Sequence, residues 1–179
     1  MHTALTHHMF DLDGTLIESY MDRPAKAFAP VVLLPGVAER WAYLRSETGN
    51  NLAIITNQAG VAYGYNSKDD VRRKLCVVGA ALGYGWIKLH EGDEPLTLST
   101  GAKQPGVLMI FVCYDKSGPR RKPSAGMLDE SMRFAGYGSG SRPNYTQYVL
   151  YVGDRPEDEQ AAQNAGVPFQ WAERFFNGR

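Results

Sequence analysis

The sequence predicts a doubly wound α/β fold, a Rossmann-like parallel sheet with helices packed on both faces. Three observations lead there. Short apolar runs of strand length alternate with stretches of helical periodicity along the whole chain. Most of these runs end in Gly or polar residues, where a strand would open into a loop. The 179 residues, 44% hydrophobic and 21% charged, suit one compact domain with a buried core, expected to span 1–179.

The first strand ends in Met9-Phe10, where Asp11 and then Gly14 open a loop. Pro24 and Pro30 keep the next stretch irregular, and Pro35-Gly36 introduces a helix that places Val37, Trp41 and Leu44 on one face and stops near Gly49. Leu52-Ala53-Ile54-Ile55 reads as a second buried strand closed by Thr56-Asn57-Gln58. Ser67 caps a helix with Val71, Leu75 and Val78 on its inner face, running to about Gly83. The stretch from Gly92 to Gly106 reads as less regular, and the role of 84–106 stays open.

Val107 to Cys113 is the strongest strand signal, and the basic loop Arg120-Arg121-Lys122-Pro123 follows it. Ser124 is positioned to cap a helix from Ala125 to about Ala135, after which Tyr137 to Ser141 forms a flexible connector. The strand Tyr148 to Val152 ends at Gly153-Asp154, and a helix from Pro156 to Ala165 is closed by Gly166. Val167-Pro168-Phe169 is expected as a last short strand, with Trp171, Phe175 and Phe176 packing nearby.

Composition excludes several classes. Lys+Arg and Asp+Glu both total 19, so no net charge draws the whole molecule to nucleic acid or a membrane surface. The two cysteines, Cys76 and Cys113, are too few for a disulfide framework, and the four histidines show no Cys/His spacing of a zinc finger, so both cysteines read as packing residues. The N-terminus lacks a signal-peptide pattern and no apolar run has the length of a membrane span. A cytoplasmic setting is expected.

Four predicted strands deliver polar groups to one edge of the sheet: Asp11 and Asp13, Thr56 and Asn57, Arg121 and Lys122, and Asp154 and Asp158. Each alone has an ordinary explanation, as a tight turn, a cap, a solvated loop or the acidic first turn of a helix. Their convergence does not. Carboxylates crowded into one crevice repel by about 4 kcal/mol per close pair at an effective dielectric of 20, so the cluster calls for a cation. Hard oxygen donors point to Mg²⁺, with the lysine and the threonine hydroxyl suited to a phosphate.

In order, the segments Phe10-Asp11-Leu12-Asp13-Gly14-Thr15, Ile55-Thr56-Asn57-Gln58, Arg121-Lys122-Pro123 and Val152-Gly153-Asp154-Arg155-Pro156-Glu157-Asp158 resemble the motifs of the haloacid dehalogenase superfamily of phosphatases. Details such as Leu34-Pro35-Gly36-Val37, Thr56-Asn57-Gln58-Ala59-Gly60 and Lys122-Pro123-Ser124-Ala125-Gly126 look like its subfamily IIIA, the branch with histidinol-phosphate phosphatases, heptose-bisphosphate phosphatases and polynucleotide 3′-phosphatases. The resemblance implies a hydrolase with a minimal cap or none. It implies that Asp11 is the nucleophile of an aspartyl-phosphate route and Asp13 the general acid and base. Thr56 would bind the phosphoryl oxygens and Lys122 would neutralise charge. Mg²⁺ would be held by Asp11, the backbone carbonyl of Asp13, and Asp154. Asp158 would hold metal-bound water or orient Lys122, and Asn57 and Arg121 would contact substrate.

Two departures bear on the substrate. The segment Asp115 to Arg120 has no cysteine or histidine, so the zinc loop of some heptose-bisphosphate phosphatases is absent and no zinc is expected. The linkers after Asp13 and Thr56 are short, so the crevice is expected to be open. A small phosphorylated metabolite, a sugar phosphate or histidinol phosphate, is the leading substrate. A DNA or RNA 3′ end is the alternative, with Tyr63, Tyr65 or Tyr114 to stack on bases and Arg120, Arg121, Lys122 and Arg142 as a local basic patch. A catalytically silent phosphate-binding relative would have lost a leading aspartate, and both are present.

Overall fold

A computed structural model describes residues 6–19, 31–47, 49–137 and 147–178. Pro24, Pro30, Arg142 and all of the 137–141 connector except Tyr137 lie outside the described residues.

Among the described residues seven strands form one sheet: β1 (Thr6–Phe10), β2 (Asn50–Asn57), β3 (Trp86–His90), β4 (Leu96–Ser99), β5 (Val107–Cys113), β6 (Val149–Gly153) and β7 (Phe169–Trp171). Their order is β4-β3-β5-β2-β1-β6-β7, and every pairing is parallel except β3 with β4. Because β2, β5 and β6 are covered on both faces, their inner residues form near-continuous apolar runs, as a central parallel strand requires.

Helices α1 (Val37–Ser46), α2 (Lys68–Ala81) and α5 (Ala172–Asn177) cover one face, where Trp41, Leu75 and Phe175 pack with Phe10 and Ile54. Helices α3 (Gly126–Phe134) and α4 (Pro156–Ala165) cover the other, where Met127, Leu128, Ala161 and Ala162 pack with Met9, Ile55 and Tyr151. Among the described residues no separate cap layer covers the carboxyl edge of the sheet. No described helix is long and apolar enough to cross a membrane.

Local signals explain most boundaries. Ser67 and Asp70 form a reciprocal capping box at the start of α2. Pro156 opens α4, and Gly166 closes it in the left-handed conformation. Two expectations need correction. Ser124 does not cap α3, whose N-cap is Ala125 without a side-chain bond; the Ser124 N–H instead closes a turn onto the Arg121 carbonyl at 2.8 Å. The last strand begins at Phe169 and ends at Trp171, two residues later than expected. The 84–106 stretch, whose role the sequence leaves open, holds β3 and the antiparallel edge strand β4 of an otherwise parallel sheet.

The register sets up the crevice. Phe10 pairs with Ile54 on one side and Val152 on the other, so Asp11, Ile55 and Gly153 stand side by side at the carboxyl edge. Thr56 pairs with Val112 and Asn57 with Cys113, placing the β5 exit loop beside them. The chain runs from β1 outward through β2 but returns across the sheet to β6, which makes the gap around β1 a topological switch point.

Candidate active site

The site grows from the ends of β1, β2 and β6 and the loop after β5. Asp11 is 7% exposed and accepts a bond from Lys122 Nζ at 2.5 Å. That ammonium also donates to Asp158 Oδ1 at 2.6 Å, the Tyr151 hydroxyl at 3.0 Å and the Ile55 carbonyl at 3.2 Å. A buried ammonium with this many oxygens around it is fully compensated, and the surrounding groups are held in turn. The Tyr151 hydroxyl donates to Asp158 Oδ1 at 2.8 Å, and Asp158 Oδ2 accepts from the Arg155 N–H at 3.2 Å. Both Asp158 oxygens are therefore engaged within the protein.

Lys122 reaches this position because its backbone is clipped to β2. Asn57 Nδ2 donates to the Lys122 carbonyl and Asn57 Oδ1 accepts from the Lys122 N–H, each at 3.1 Å. Asn57 thus spends its amide on the loop. Arg121 points elsewhere, with Nη1 on the Asp115 carbonyl at 3.3 Å.

Asp13 occupies a second, connected cluster. Its Oδ1 accepts from Lys74 Nζ of α2 at 2.7 Å and its Oδ2 from Gln58 Nε2 at 2.7 Å. The same Gln58 amide donates to Thr56 Oγ1 at 2.8 Å, so Thr56 and Asp13 are linked through one side chain. Asp154, at the end of β6, accepts from Thr15 Oγ1 at 3.2 Å. It lies against Gly14, whose φ of 93° and missing Cβ make room for it, since a Cβ there would stand 2.2 Å from Asp154 Oδ2.

The electrostatics follow from two carboxylates, Asp11 and Asp158, facing one buried ammonium, with Asp154 close by. Burial pushes the Asp11 carboxyl up to about 7, against the pull of Lys122 and with the added push of Asp158 and Asp13. Burial likewise raises Asp154, reinforced by Asp158. Burial disfavours the Lys122 ammonium, but Asp11, Tyr151 and Asp158 outweigh it and hold its proton well above the usual lysine range. Asp11, Asp154 and Asp158 each offer a carboxylate oxygen within 4.8 Å of the others. The donors are hard oxygens and the charge is in surplus, which fits a divalent cation of the Mg²⁺ type. With Asp158 tied to Lys122, Asp11 and Asp154 are the pair suited to hold it.

The predicted residues Asp11, Lys122 and Asp158 thus meet directly, Asp154 lies beside them, and Asp13 and Thr56 share a neighbouring cluster. Arg121 is not brought into either. Sequence reasoning gave no role to Tyr151, Gln58, Lys74 or Thr15. Lys74 had a visible signal, because it falls on the inner stripe of α2 between Val71 and Leu75 and Val78, where an apolar residue belongs. Tyr151 had none, since a tyrosine in a buried strand reads as core.

The sequence pattern of the polynucleotide kinase 3 phosphatase family matches residues 7–176, nearly the whole chain. The chain belongs to this family. Within it the four motif segments fall at the strand ends just described. Among curated relatives, the D-glycero-beta-D-manno-heptose-1,7-bisphosphate 7-phosphatase of Mesorhizobium japonicum is 26% identical over 174 residues, covering 90% of this chain and 66% of the relative. A phosphoglycolate phosphatase of Rhodobacter capsulatus is 29% identical over 189 aligned positions, covering 90% of this chain and 81% of its own length. The chain spans just under two thirds of the Mesorhizobium relative. The solved structure of D,D-heptose 1,7-bisphosphate phosphatase from B. bronchiseptica, complexed with magnesium and phosphate, superposes with a TM-score of 0.68 at 24% identity, covering 92% of this chain and 79% of that one. A putative HAD-like phosphatase from Mesorhizobium loti, 24% identical, superposes with a TM-score of 0.59 over 91% of this chain and 69% of that one, so this family member shares the fold of both structures.

Proposed function

We propose that this chain is a Mg²⁺-dependent phosphomonoester hydrolase that works through an aspartyl-phosphate and acts on a small phosphorylated sugar. One observation carries the proposal: the buried Asp11–Lys122–Asp158 chain, with Asp154 beside it and Asp13 two residues from the nucleophile. A buried carboxylate with a lysine at 2.5 Å is organised to meet an anionic centre, since Lys122 can hold a phosphoryl oxygen as well as Asp11. The bisphosphatase and phosphoglycolate phosphatase relatives support the substrate class.

Mg²⁺, held by Asp11, Asp154 and the backbone carbonyl of Asp13, would supply charge neutralisation for the carboxylates and the phosphate. Asp11 attacks phosphorus in line, and the bond from phosphorus to the ester oxygen breaks. Asp13 gives its proton to the departing oxygen, then takes one from the water that attacks the aspartyl-phosphate, releasing phosphate and free Asp11. Thr56 binds the phosphoryl oxygens, and Asp158 with Tyr151 keeps Lys122 aimed.

A second substrate, a polynucleotide 3′ end, is favoured by the family description and by one surface feature. Tyr63 and Tyr65, 55% and 65% exposed, stack at 6.0 Å in the loop after β2, with Lys116 Nζ 4.4 Å from the Tyr63 ring. Hydrolysis of p-nitrophenyl phosphate with and without Mg²⁺ tests the chemistry, and no metal-dependent turnover would refute it. A panel of sugar phosphates beside an oligonucleotide bearing a 3′-phosphate tests the substrate. Salt-sensitive preference for the oligonucleotide would reverse the assignment.

A further inference from the structure

Lys74 is the unexpected residue of α2. The helix buries Val71, Leu75, Val78 and Gly79 against the sheet, and Lys74 sits on that same face with its side chain 3% exposed. Taking an ammonium out of water is costly, and a close anionic partner offsets that cost. Here that partner is Asp13, at 2.7 Å across 61 residues of sequence. An ion pair made only for stability could join any acid to this helix. This one instead grips the carboxyl two residues after Asp11.

We infer that Lys74 is a positioning residue for Asp13, fixing the carboxyl from which the leaving group takes its proton; the inference rests on the phosphatase reading above. Lys74 holds Oδ1 and Gln58 holds Oδ2, so the carboxyl is gripped at both oxygens and its plane cannot turn freely. Gln58 also fixes Thr56, which ties the orientation of Asp13 to the phosphoryl-binding hydroxyl. General acids act within hydrogen-bond reach of one atom, so a carboxyl free to rotate loses much of its effect. As the ester bond breaks, the proton passes from Asp13 to the leaving oxygen. The resulting carboxylate stays in place between Lys74 and Gln58, ready to take a proton from the attacking water.

The test uses leaving groups. A p-nitrophenolate departs without protonation, whereas the alkoxide of glycerol phosphate needs a proton. Lys74→Met keeps the buried stem and removes the charge. It should lower kcat/KM on glycerol phosphate, which reports the steps up to ester cleavage, on the order of tenfold or more, but kcat/KM on p-nitrophenyl phosphate by no more than about threefold, while slower attack of water would lower kcat on both esters alike. Lys74→Arg should recover part of the alkyl-ester rate. Equal losses of kcat/KM on both esters, or none, would overturn the inference while leaving the phosphatase reading intact. A wild-type chain inactive on both esters with Mg²⁺ would instead remove the reading itself. Should Lys74→Met fail to fold, the ratio of the two kcat/KM values is read in Lys74→Arg and Lys74→Gln: a shift towards the nitrophenyl ester supports the positioning role, and an unchanged ratio overturns it.

Discussion

Nζ of Lys122 lies 2.5 Å from Oδ1 of Asp11, and water scarcely reaches the pair, whose side chains are 2% and 9% exposed. The lysine is the single ammonium of this chain of contacts, facing Asp11 directly and Asp158 behind it. Charge is thus unbalanced at the point where a metal ion and a phosphate would bind, and several consequences can be measured.

Removing the ammonium should be the most damaging change. Lys122→Met leaves Asp11 and Asp158 buried without their common partner, and breaking such a pair from one side costs about 3–5 kcal/mol. Loss of phosphatase activity together with a lower denaturant midpoint is expected. A Lys122→Met protein as stable as wild type would show that the pair carries little of the fold.

Asp11→Asn should act in the opposite sense on stability. The folded Asp11 carboxyl sits at about 7, above its ordinary 3.8, so its contribution favours folding below pH 3.8 and is lost as pH rises to 7. Above pH 7 the wild type carries the full penalty, at most about 4 kcal/mol by linkage, which asparagine cannot incur. The variant should be inactive yet melt higher than wild type at pH 8 without metal. Added Mg²⁺ should close that gap by stabilising wild type alone. Thermal unfolding of both proteins with and without the ion checks each part.

Much of this site was legible because central parallel strands announce themselves. Leu52 to Ile55 and Val107 to Cys113 are runs that only burial on both faces explains, and each ends in a polar group. The β3 and β4 strands were not legible for the converse reason. Trp86 is 48% exposed and Lys88 interrupts the apolar pattern, while Leu96 to Ser99 is mostly exposed at the sheet edge and carries little burial signal. Within the site, the carboxylates could be found by their motifs, but the groups that hold them could not. Asp13 meets Lys74 only because α2 packs its inner face over the sheet, and the partners of Tyr151 depend on where the β5 loop brings Lys122.

Gly14→Ala tests the metal pocket without altering any donor. The added Cβ would stand 2.2 Å from Asp154 Oδ2, and the φ of 93° is itself strained for alanine. Asp154 must move away from Asp11 to admit it. Weaker Mg²⁺ affinity is expected, on the order of tenfold or more as for other displaced metal supports, read from the metal dependence of the melting temperature. Unchanged affinity would mean that Asp154 does not serve the ion.

At the opposite end of β1, His7 gives the fold an acid limit independent of the active site. Its ring is 3% exposed, with Nε2 2.9 Å from Ser131 Oγ, and burial above all pushes its pKa down to about 4 from 6.5. A histidine held neutral in the folded state gives stability that is complete above pH 6.5 and is lost as pH falls towards 4. The loss from this one group reaches about 3 kcal/mol, at a slope near 1.4 kcal/mol per pH unit. His90, likewise buried and lowered to about 4, adds a similar slope and Asp11 an opposing one, so the His7 share is read as the difference between wild type and His7→Gln in urea unfolding between pH 7 and 4.5. His7→Gln cannot take up the proton, so its stability should fall less steeply over the same range. Parallel profiles for the two proteins would mean that His7 titrates alike in the folded and unfolded chain.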